Sequence, residues 1–228
     1  MSDEICYNMW SMKAVVVLSG GQDSATALAM AVKKYTAAEV AAITFRYGQK
    51  HEKEVTYAKG LARHFGIREH KIVSLSFYKH LTSNALMTKG MKIERKKGSK
   101  CPTTVVEGRN GIFLMLASVW GKGLGAREVW TGVSEADSSG YPDCRAAFIR
   151  SEERTIRLAL DYPIRIVTPF IWKTKAEEWW EADKLGIVDL IREKTLTCYN
   201  GVPGDGCGKC PACQLRNRGY KEFMKAKG

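Results

Sequence analysis

The stretch Ala14-Val15-Val16-Val17-Leu18-Ser19-Gly20-Gly21-Gln22-Asp23-Ser24 joins two sequence patterns that together decide the fold. Its first five residues form a continuous apolar run rich in β-branched side chains, which is typical of a strand buried on both faces. The glycine pair then ends the strand, and the pattern over residues 24–35 predicts a helix. A buried strand, a glycine turn and a helix in this order indicate an α/β protein.

Strand and helix patterns alternate along the rest of the chain. Further strands are predicted at 40–45, 71–74, 128–132 and 164–168. Further helices are predicted at 51–65, 110–122, 148–160 and 214–225. Thr174 and Glu177 have capping-box spacing ahead of one more helix, which Gly186 ends. This alternation predicts an α/β fold with a doubly wound, mainly parallel sheet, interrupted by loops at 76–108 and 133–145.

The chain is predicted to have three parts. Residues 1–12 are expected to be an N-terminal extension, residues 13–190 the α/β domain, and residues 191–228 a C-terminal segment with clustered cysteines. A length of 228 residues fits one domain with a small appendage and allows a sizeable core.

Composition limits where the protein works and what it binds. No apolar run approaches the ~20 residues that span a bilayer. The N-terminus has no basic region followed by an apolar stretch, so we expect no secretory signal, no membrane partner and a cytoplasmic protein with reduced thiols. The net charge of +12 favours anionic partners, either nucleotides or nucleic acid. Six basic residues within 89–100 are predicted to form a solvated loop.

The glycine loop has the chemistry of an anion site. Its two glycines allow a tight turn that brings backbone N–H groups close to a ligand, and the positive end of the following helix adds attraction. Ser19 and Ser24 can donate hydroxyl hydrogen bonds to phosphate oxygens, whereas Asp23 suits a magnesium ion or a ribose hydroxyl. No Gly-Lys-Ser/Thr string follows, so the loop is not a Walker motif. An ordinary strand-to-helix turn is the alternative.

Four cysteines lie in one short, glycine-rich segment and predict a metal site. Two thiolates per short Cys-x-x-Cys turn suit the tetrahedral coordination of zinc. With no open coordination position, such a zinc site is expected to be structural. A disulfide pair and an iron–sulfur cluster are the alternatives. The predicted ligands are Cys198, Cys207, Cys210 and Cys213.

Three loops at predicted carboxyl ends of strands or at a helix start can converge on one crevice. Their chemistry suits a planar, anionic, guanine-like ligand: an arginine for a carboxylate, an aspartate for the amide edge, a tyrosine for stacking. For each residue, surface capping or a local turn is the alternative. The candidate substrate-binding or catalytic residues are Tyr47, Gln49, His51, Arg109, Asn110, Tyr141, Asp143 and Arg145.

The string SGGQDS resembles the pyrophosphate loop of the PP-loop ATPases, whose members adenylate a substrate oxygen and release pyrophosphate. The resemblance implies an adenine nucleotide alpha hydrolase-like fold with bound ATP and Mg²⁺. Carried over by position, the implied ATP-binding residues are Leu18, Ser19, Gly20, Gly21, Gln22, Asp23, Ser24 and Ala25.

Within that class, the strings YGQKH, GRN, SGYPDCR, KTKAE and TLTCYNGVPGDGCGKCPAC resemble the 7-cyano-7-deazaguanine synthases of queuosine and archaeosine precursor synthesis. The resemblance implies a homodimeric, ATP-dependent carbon–nitrogen ligase with zinc on the four cysteines. Its substrates would be 7-carboxy-7-deazaguanine, ATP and ammonia. Adenylation would lead through the amide to 7-cyano-7-deazaguanine.

Other functions stay open at this point. Arg46 and Glu107 stand where that family usually has an acidic residue and a proline. An enzyme whose reaction stops at the amide is therefore one alternative. The high positive charge leaves a PP-loop enzyme that modifies tRNA directly. The cysteines leave a zinc-knuckle module that binds nucleic acid without catalysis.

Overall fold

A computed structural model describes residues 12–49, 53–88, 90–94, 102–136 and 140–228. The strands are β1 Ala14–Val17, β2 Val40–Arg46, β3 His70–Ser74, β4 Glu128–Trp130 and β5 Arg165–Val167. The helices are α1 Gln22–Lys34, α2 Lys53–His64, α3 Arg109–Gly123, α4 Ala146–Leu160, α5 Lys175–Lys184, α6 Val188–Lys194 and α7 Pro211–Lys227.

The strands form one parallel sheet in the order β3-β2-β1-β4-β5. The chain winds outward from β1 to β3 and then returns to the other side of β1 to add β4 and β5. Val15 of β1 lies opposite Ala41 of β2 and Val129 of β4. The predicted doubly wound parallel sheet is therefore confirmed. Its switch point lies between β1 and β4, where ligands of open α/β sheets bind.

Strand β1 is buried on both faces, as its continuous apolar sequence predicts. Val15 packs in one core cluster with Phe113 of α3, whereas Val16 packs in another with Leu28 of α1 and Trp179 of α5. Both valines have no exposed surface. The helices therefore cover both sides of the sheet and fix the carboxyl end of β1 at the centre of the molecule.

Two helix boundaries illustrate what local sequence determines. Thr174 accepts from the backbone N–H of Glu177, and the Glu177 carboxylate accepts from the N–H of Thr174, so the predicted capping box is confirmed. Helix α7 begins at Pro211, three residues before the predicted start, because proline is well suited to the first turn of a helix. Helix α6 was not predicted from the sequence.

The C-terminal segment shares the hydrophobic core of the preceding domain. The Trp179 ring of α5 meets Tyr220 of α7 edge to face at 4.9 Å, and Phe223 is 1% exposed within the same core cluster. The division of the chain at residue 190 stays a prediction.

The predicted loop at 76–108 contains, in its described residues, one short 3-10 turn at Ser76–His80 and no helix or strand before α3. Of the basic run at 89–100, the described part is 90–94. Most of the predicted N-terminal extension lies outside the described residues. No helix in the described ranges is both long and apolar enough to cross a bilayer.

Candidate functional site

A cavity of about 310 Å³ lies at the carboxyl edge of the sheet, next to the switch point. This volume is at the lower end of the range for small-molecule sites. It is lined by residues of the glycine loop, the ends of β2 and β4, the first turns of α2, α3 and α5, and the cysteine segment. The predicted site residues among them are Leu18, Ser19, Gly21, Gln22, Asp23, Ser24, Tyr47, Arg109, Asn110 and Tyr141.

The glycine loop needs its first glycine. Gly20 has φ of +89°, and a Cβ there would lie 2.6 Å from the carbonyl oxygen of Glu54 in α2. Any side chain at position 20 would clash with the backbone of α2, so only glycine allows α2 to pack directly under the loop. Ser19 and Ser24 then place their hydroxyl oxygens 3.0 Å apart on the cavity side. Ala25, the last predicted ATP-binding residue, is instead fully buried in the core.

Gln22 is the clearest sign that the loop faces a ligand. Its side chain is 1% exposed and lines the cavity, yet neither its amide nitrogen nor its amide oxygen has a hydrogen-bond partner among the described residues. Buried polar groups are nearly always hydrogen-bonded, and an exception needs an explanation. A polar ligand in the cavity would supply both missing partners.

Asp23 does not cap α1; it belongs to a charged triad. Lys175 donates to its carboxylate at 2.8 Å and to that of buried Glu178 at 2.7 Å. Burial raises the pKa of Asp23, but attraction to Lys175 together with hydrogen bonds to Glu178 and Lys175 outweighs it and leaves that pKa below its ordinary value. Burial and repulsion from Asp23 raise the pKa of Glu178 well above its ordinary value. The triad therefore holds a protonated lysine beside the glycine loop.

Arg109 provides the positive charge on the other side of the cavity. Its guanidinium donates to the Tyr47 hydroxyl at 3.1 Å, and its buried Nε has no partner in the described structure. Burial lowers the pKa of Arg109, but nearby Tyr47 and Asp143 more than compensate, so the side chain stays charged. Arg109 could therefore bind a carboxylate.

Of the other predicted substrate residues, some line the cavity and others support it from outside. Tyr141 lines the cavity within a hydroxyl chain, 3.2 Å from the Tyr199 hydroxyl. Asn110 also lines it, and its backbone N–H donates to Asp143 at 3.0 Å, so Asp143 orients the start of α3 from outside the cavity. Gln49 accepts from the Tyr47 N–H at 2.8 Å and braces that turn.

Arg145 is exposed at the start of α4 and does not line the cavity. His51 lies outside the described residues. Cys144, for which no catalytic role was expected, lines the cavity, and burial raises its pKa to about 12. Its thiol is therefore a poor nucleophile near neutral pH.

The cysteine cluster fits a metal ion. The four sulfur atoms all lie within 4.8 Å of one another. Backbone N–H groups of Asn200 and Cys210 donate to two of them at 3.3 and 3.4 Å, the kind of contact that orients metal-bound ligands. At Gly206 a Cβ would lie 2.3 Å from the Cys213 sulfur, so only glycine allows the chain to wrap so closely. The ligand atoms are those of Cys198, Cys207, Cys210 and Cys213.

This cluster is attached directly to the glycine loop. Leu196 donates its N–H to the carbonyl of Gly20 at 2.8 Å, and the Thr197 hydroxyl accepts from the N–H of Gln22 at 3.2 Å. Buried Arg216 of α7 donates to the same hydroxyl at 3.1 Å. The segment that ends in Cys198 therefore forms part of the cavity wall.

Sequence reasoning did not assign individual roles to Glu54, Lys175 or Thr197, although all three line the cavity. Lys175 and Thr197 lie within the strings KTKAE and TLTCYN, and the family resemblance of those strings was the signal that could have identified both residues. Glu54 had no such signal, because a glutamate in the first turn of a helix is ordinary.

The fold and the site define an α/β protein with a glycine loop at its switch point and a C-terminal cysteine cluster able to hold a metal ion. The chain belongs to the family described as queuosine biosynthesis protein QueC, whose sequence model matches residues 13–224. It is 48% identical over 216 residues to a Bacillus subtilis (strain 168) protein named 7-cyano-7-deazaguanine synthase. That match covers 95% of this chain and 97% of the relative. The resemblance inferred from the sequence strings is confirmed.

Among solved structures, NMN synthetase from Francisella tularensis matches 98% of this chain and 81% of its own, with a TM-score of 0.48 and 15% identity. This likeness is too remote to bear on function.

Proposed function

We propose that this protein is an ATP-dependent carbon–nitrogen ligase that converts 7-carboxy-7-deazaguanine and ammonia to 7-cyano-7-deazaguanine. Membership of the queuosine biosynthesis family and 48% identity to a 7-cyano-7-deazaguanine synthase support the proposal. The structural observation that carries it is the buried Gln22 amide, unpartnered among the described residues, in a cavity that also holds Arg109. One cavity thus offers a polar loop for a nucleotide and a cation for a carboxylate.

The glycine loop and its surroundings would bind ATP. Backbone N–H groups at the start of α1 and the hydroxyls of Ser19 and Ser24 suit the phosphate oxygens. Lys175 adds a positive charge where pyrophosphate would leave, and such preorganised charge stabilises the developing anion. Asp23 would hold Mg²⁺, which when bound neutralises phosphate charge. We assign residues 18–24 to the ATP site, with Ala25 acting through packing.

Arg109 would bind and orient the substrate carboxylate, and Tyr47 and Tyr141 offer ring faces and hydroxyls for the deazaguanine. The carboxylate oxygen attacks the α-phosphorus of ATP and pyrophosphate leaves. Ammonia then attacks the acyl-adenylate and AMP departs, which gives the amide. In a second round the amide oxygen is adenylated, and loss of AMP and a proton leaves the nitrile. Closing off the cavity from water would prevent hydrolysis of the adenylate.

The cysteine cluster would hold zinc in a structural role, because four thiolates leave no coordination position for substrate. We further propose a cytoplasmic homodimer in which residues 13–190 carry the nucleotide site and residues 191–228 complete it.

Product analysis tests the proposal. Purified protein is incubated with 7-carboxy-7-deazaguanine, ATP, Mg²⁺ and ammonium chloride, with omission of each component as controls. Mass spectrometry should detect the nitrile, and chromatography should detect AMP and pyrophosphate. Accumulation of the amide alone would replace the nitrile-forming assignment by an amide-forming one. ADP and phosphate as nucleotide products would contradict the ligase mechanism.

A further inference from the structure

The proposed reaction requires a proton acceptor in the cavity. At neutral pH ammonia is present mainly as ammonium, which has no lone pair, so a proton must leave nitrogen before the C–N bond can form. A second proton leaves nitrogen as the amide forms with expulsion of AMP. The remaining two leave in the second round, one on adenylation of the amide oxygen and one with the departing AMP. This requirement rests on the proposed function and on no other property of the protein.

Most ionisable groups that line the cavity cannot take that first proton near neutral pH. The carboxylate of Asp23 is occupied by Lys175. Lys175 and Arg109 already carry protons, because neighbouring acidic groups outweigh the effect of burial and raise both pKa values. A protonated Tyr47 hydroxyl is no base, and burial raises its pKa further.

Glu54 is placed differently. It lies in the first turn of α2, is partly buried and lines the cavity. Its backbone carbonyl packs against Gly20, which anchors this turn to the glycine loop. In the part of the chain that the structure describes, its carboxylate makes no ion pair and accepts no hydrogen bond. A half-buried carboxylate that no described residue pairs with or hydrogen-bonds is costly for stability, and functional sites are where such costs are found.

We propose that Glu54 is the general base of the reaction: its carboxylate accepts a proton from ammonium and delivers ammonia to the acyl-adenylate. An N–H bond of ammonium breaks as an O–H bond forms on Glu54, and the freed lone pair then forms the C–N bond. The C–O electrons leave with AMP, and the second N–H proton is taken by the phosphate of the departing AMP. Among the described residues, the charged group that acts on Glu54 is Arg109 of α3, and the neutral hydroxyl of Tyr47 after β2 is hydrogen-bonded to that guanidinium. Arg109 moderates the basicity of Glu54.

The ionisation of Glu54 agrees with this role. Burial raises its pKa to about 7, although Arg109 opposes the rise. A general base works best when its pKa lies near the working pH, because it is then both ionised and basic.

The variant Glu54→Gln tests the proposal, with Glu152→Gln on α4, outside the cavity lining, as the matched control. Adenylation needs no ammonia, so carboxylate-dependent exchange of pyrophosphate into ATP should stay near the wild-type rate in both variants. Amide formation from ammonium at pH 7 should fall about a hundredfold to ten-thousandfold in Glu54→Gln only. Hydroxylamine, which is mainly unprotonated at this pH, should restore the variant to near the wild-type rate of hydroxamate formation.

The pH profile provides a second readout. Below pH 7 the wild-type kcat/KM for total ammonium should follow the ionisation of Glu54, whereas the variant should follow free ammonia with no inflection near 7. Equal loss with hydroxylamine and ammonium, or an unchanged rate with ammonium, would overturn the role of Glu54. Absence of pyrophosphate exchange in the wild-type protein would instead contradict the proposed function, so the two failures are distinguishable.

Discussion

The Thr197 hydroxyl accepts a hydrogen bond from the backbone N–H of Gln22 at 3.2 Å, across 175 positions of sequence. Thr197 immediately precedes Cys198, so this hydrogen bond connects the segment that carries the cysteine cluster directly to the glycine loop. This hydrogen bond therefore links the proposed metal site to the proposed nucleotide site.

Thr197→Val removes the acceptor while keeping the shape of the side chain. A hydrogen bond of this kind contributes about 1 kcal/mol, so KM for ATP should rise about fivefold. Urea denaturation should reveal a modest loss of stability, because Arg216 also loses a partner. Thr155→Val on α4, whose exposed hydroxyl donates to the backbone carbonyl of Ser151, serves as control and should leave KM unchanged. An unchanged KM in Thr197→Val would contradict a positioning role.

Cys210→Ser should release the metal. Elemental analysis should find about one zinc per wild-type chain and much less in the variant, and thermal unfolding should begin at lower temperature. Because Thr197 and Leu196 depend on the same segment, KM for ATP should rise as well. Cys144→Ser should retain the full metal content, since Cys144 is not one of the four clustered cysteines. Iron in place of zinc, or a well-folded wild-type protein without metal, would refute the assignment.

Asp23→Ala should reduce kcat by several powers of ten while the fold and the metal content are retained. Asp23 makes no helix-capping hydrogen bond, and its partner Lys175 keeps Glu178 as a second acceptor. Loss of a group that holds a metal ion or orients a phosphate affects mainly the transition state. Asp189→Ala removes an exposed aspartate from the first turn of α6 and should be neutral. Steady-state kinetics and circular dichroism measure both effects, and near wild-type turnover in Asp23→Ala would contradict the proposed site.

Two helical glycines should respond oppositely to alanine. At Gly219 of α7 a Cβ would lie 2.7 Å from the Lys175 Cβ, so Gly219→Ala forces α7 away from α5 and should destabilise the protein by about 1–3 kcal/mol. At Gly60 of α2 nothing lies within 4 Å, so Gly60→Ala should stabilise by about 0.5–1 kcal/mol. Urea denaturation measures both. Similar values for the two variants would mean that α7 does not pack against α5 as described.

Glu54 should make stability depend on pH. Its folded pKa of about 7 lies above its ordinary value of 4.5, so the unfolded chain ionises first as pH rises. The folded state therefore loses stability between about pH 4.5 and 7. Glu54→Gln should match the wild type near pH 4.5 and be more stable at pH 8, as measured by urea denaturation. Glu69→Gln, at an exposed site, should have no such crossover. A variant that is less stable at pH 8 would mean that Glu54 supports the fold.

The sequence predicted what depends on local patterns. Strand β1 and the glycine loop are specified by neighbouring residues, and the capping box by two residues three positions apart. Helix α6 was missed because it spans only seven residues and has no side-chain cap. The triad was missed for another reason: Asp23 and Lys175 are 152 positions apart, and only folding brings them within hydrogen-bonding distance.

The same distinction between local and long-range information applies to the predicted site residues. The positions of the six loop residues that line the cavity could be predicted, because the loop comes directly after the buried strand β1. Gln49 and Asp143 have the expected positions near the carboxyl edge and accept hydrogen bonds from nearby backbone N–H groups, so their role in substrate binding stays a prediction. Polar residues in turns satisfy backbone N–H groups as readily as they bind ligands, so their sequence alone could not separate the two roles.

The attachment of the glycine loop to Leu196 and Thr197 has a consequence for biosynthesis of the protein. A ribosome makes the chain from its N-terminus, so the loop emerges early and its two hydrogen-bonding partners only about 175 residues later. Phe223, which completes the core, follows later still. A prematurely terminated chain would therefore contain the entire phosphate-binding string without the means to hold its shape. Incomplete copies should be unable to sequester ATP and should be exposed to proteolysis.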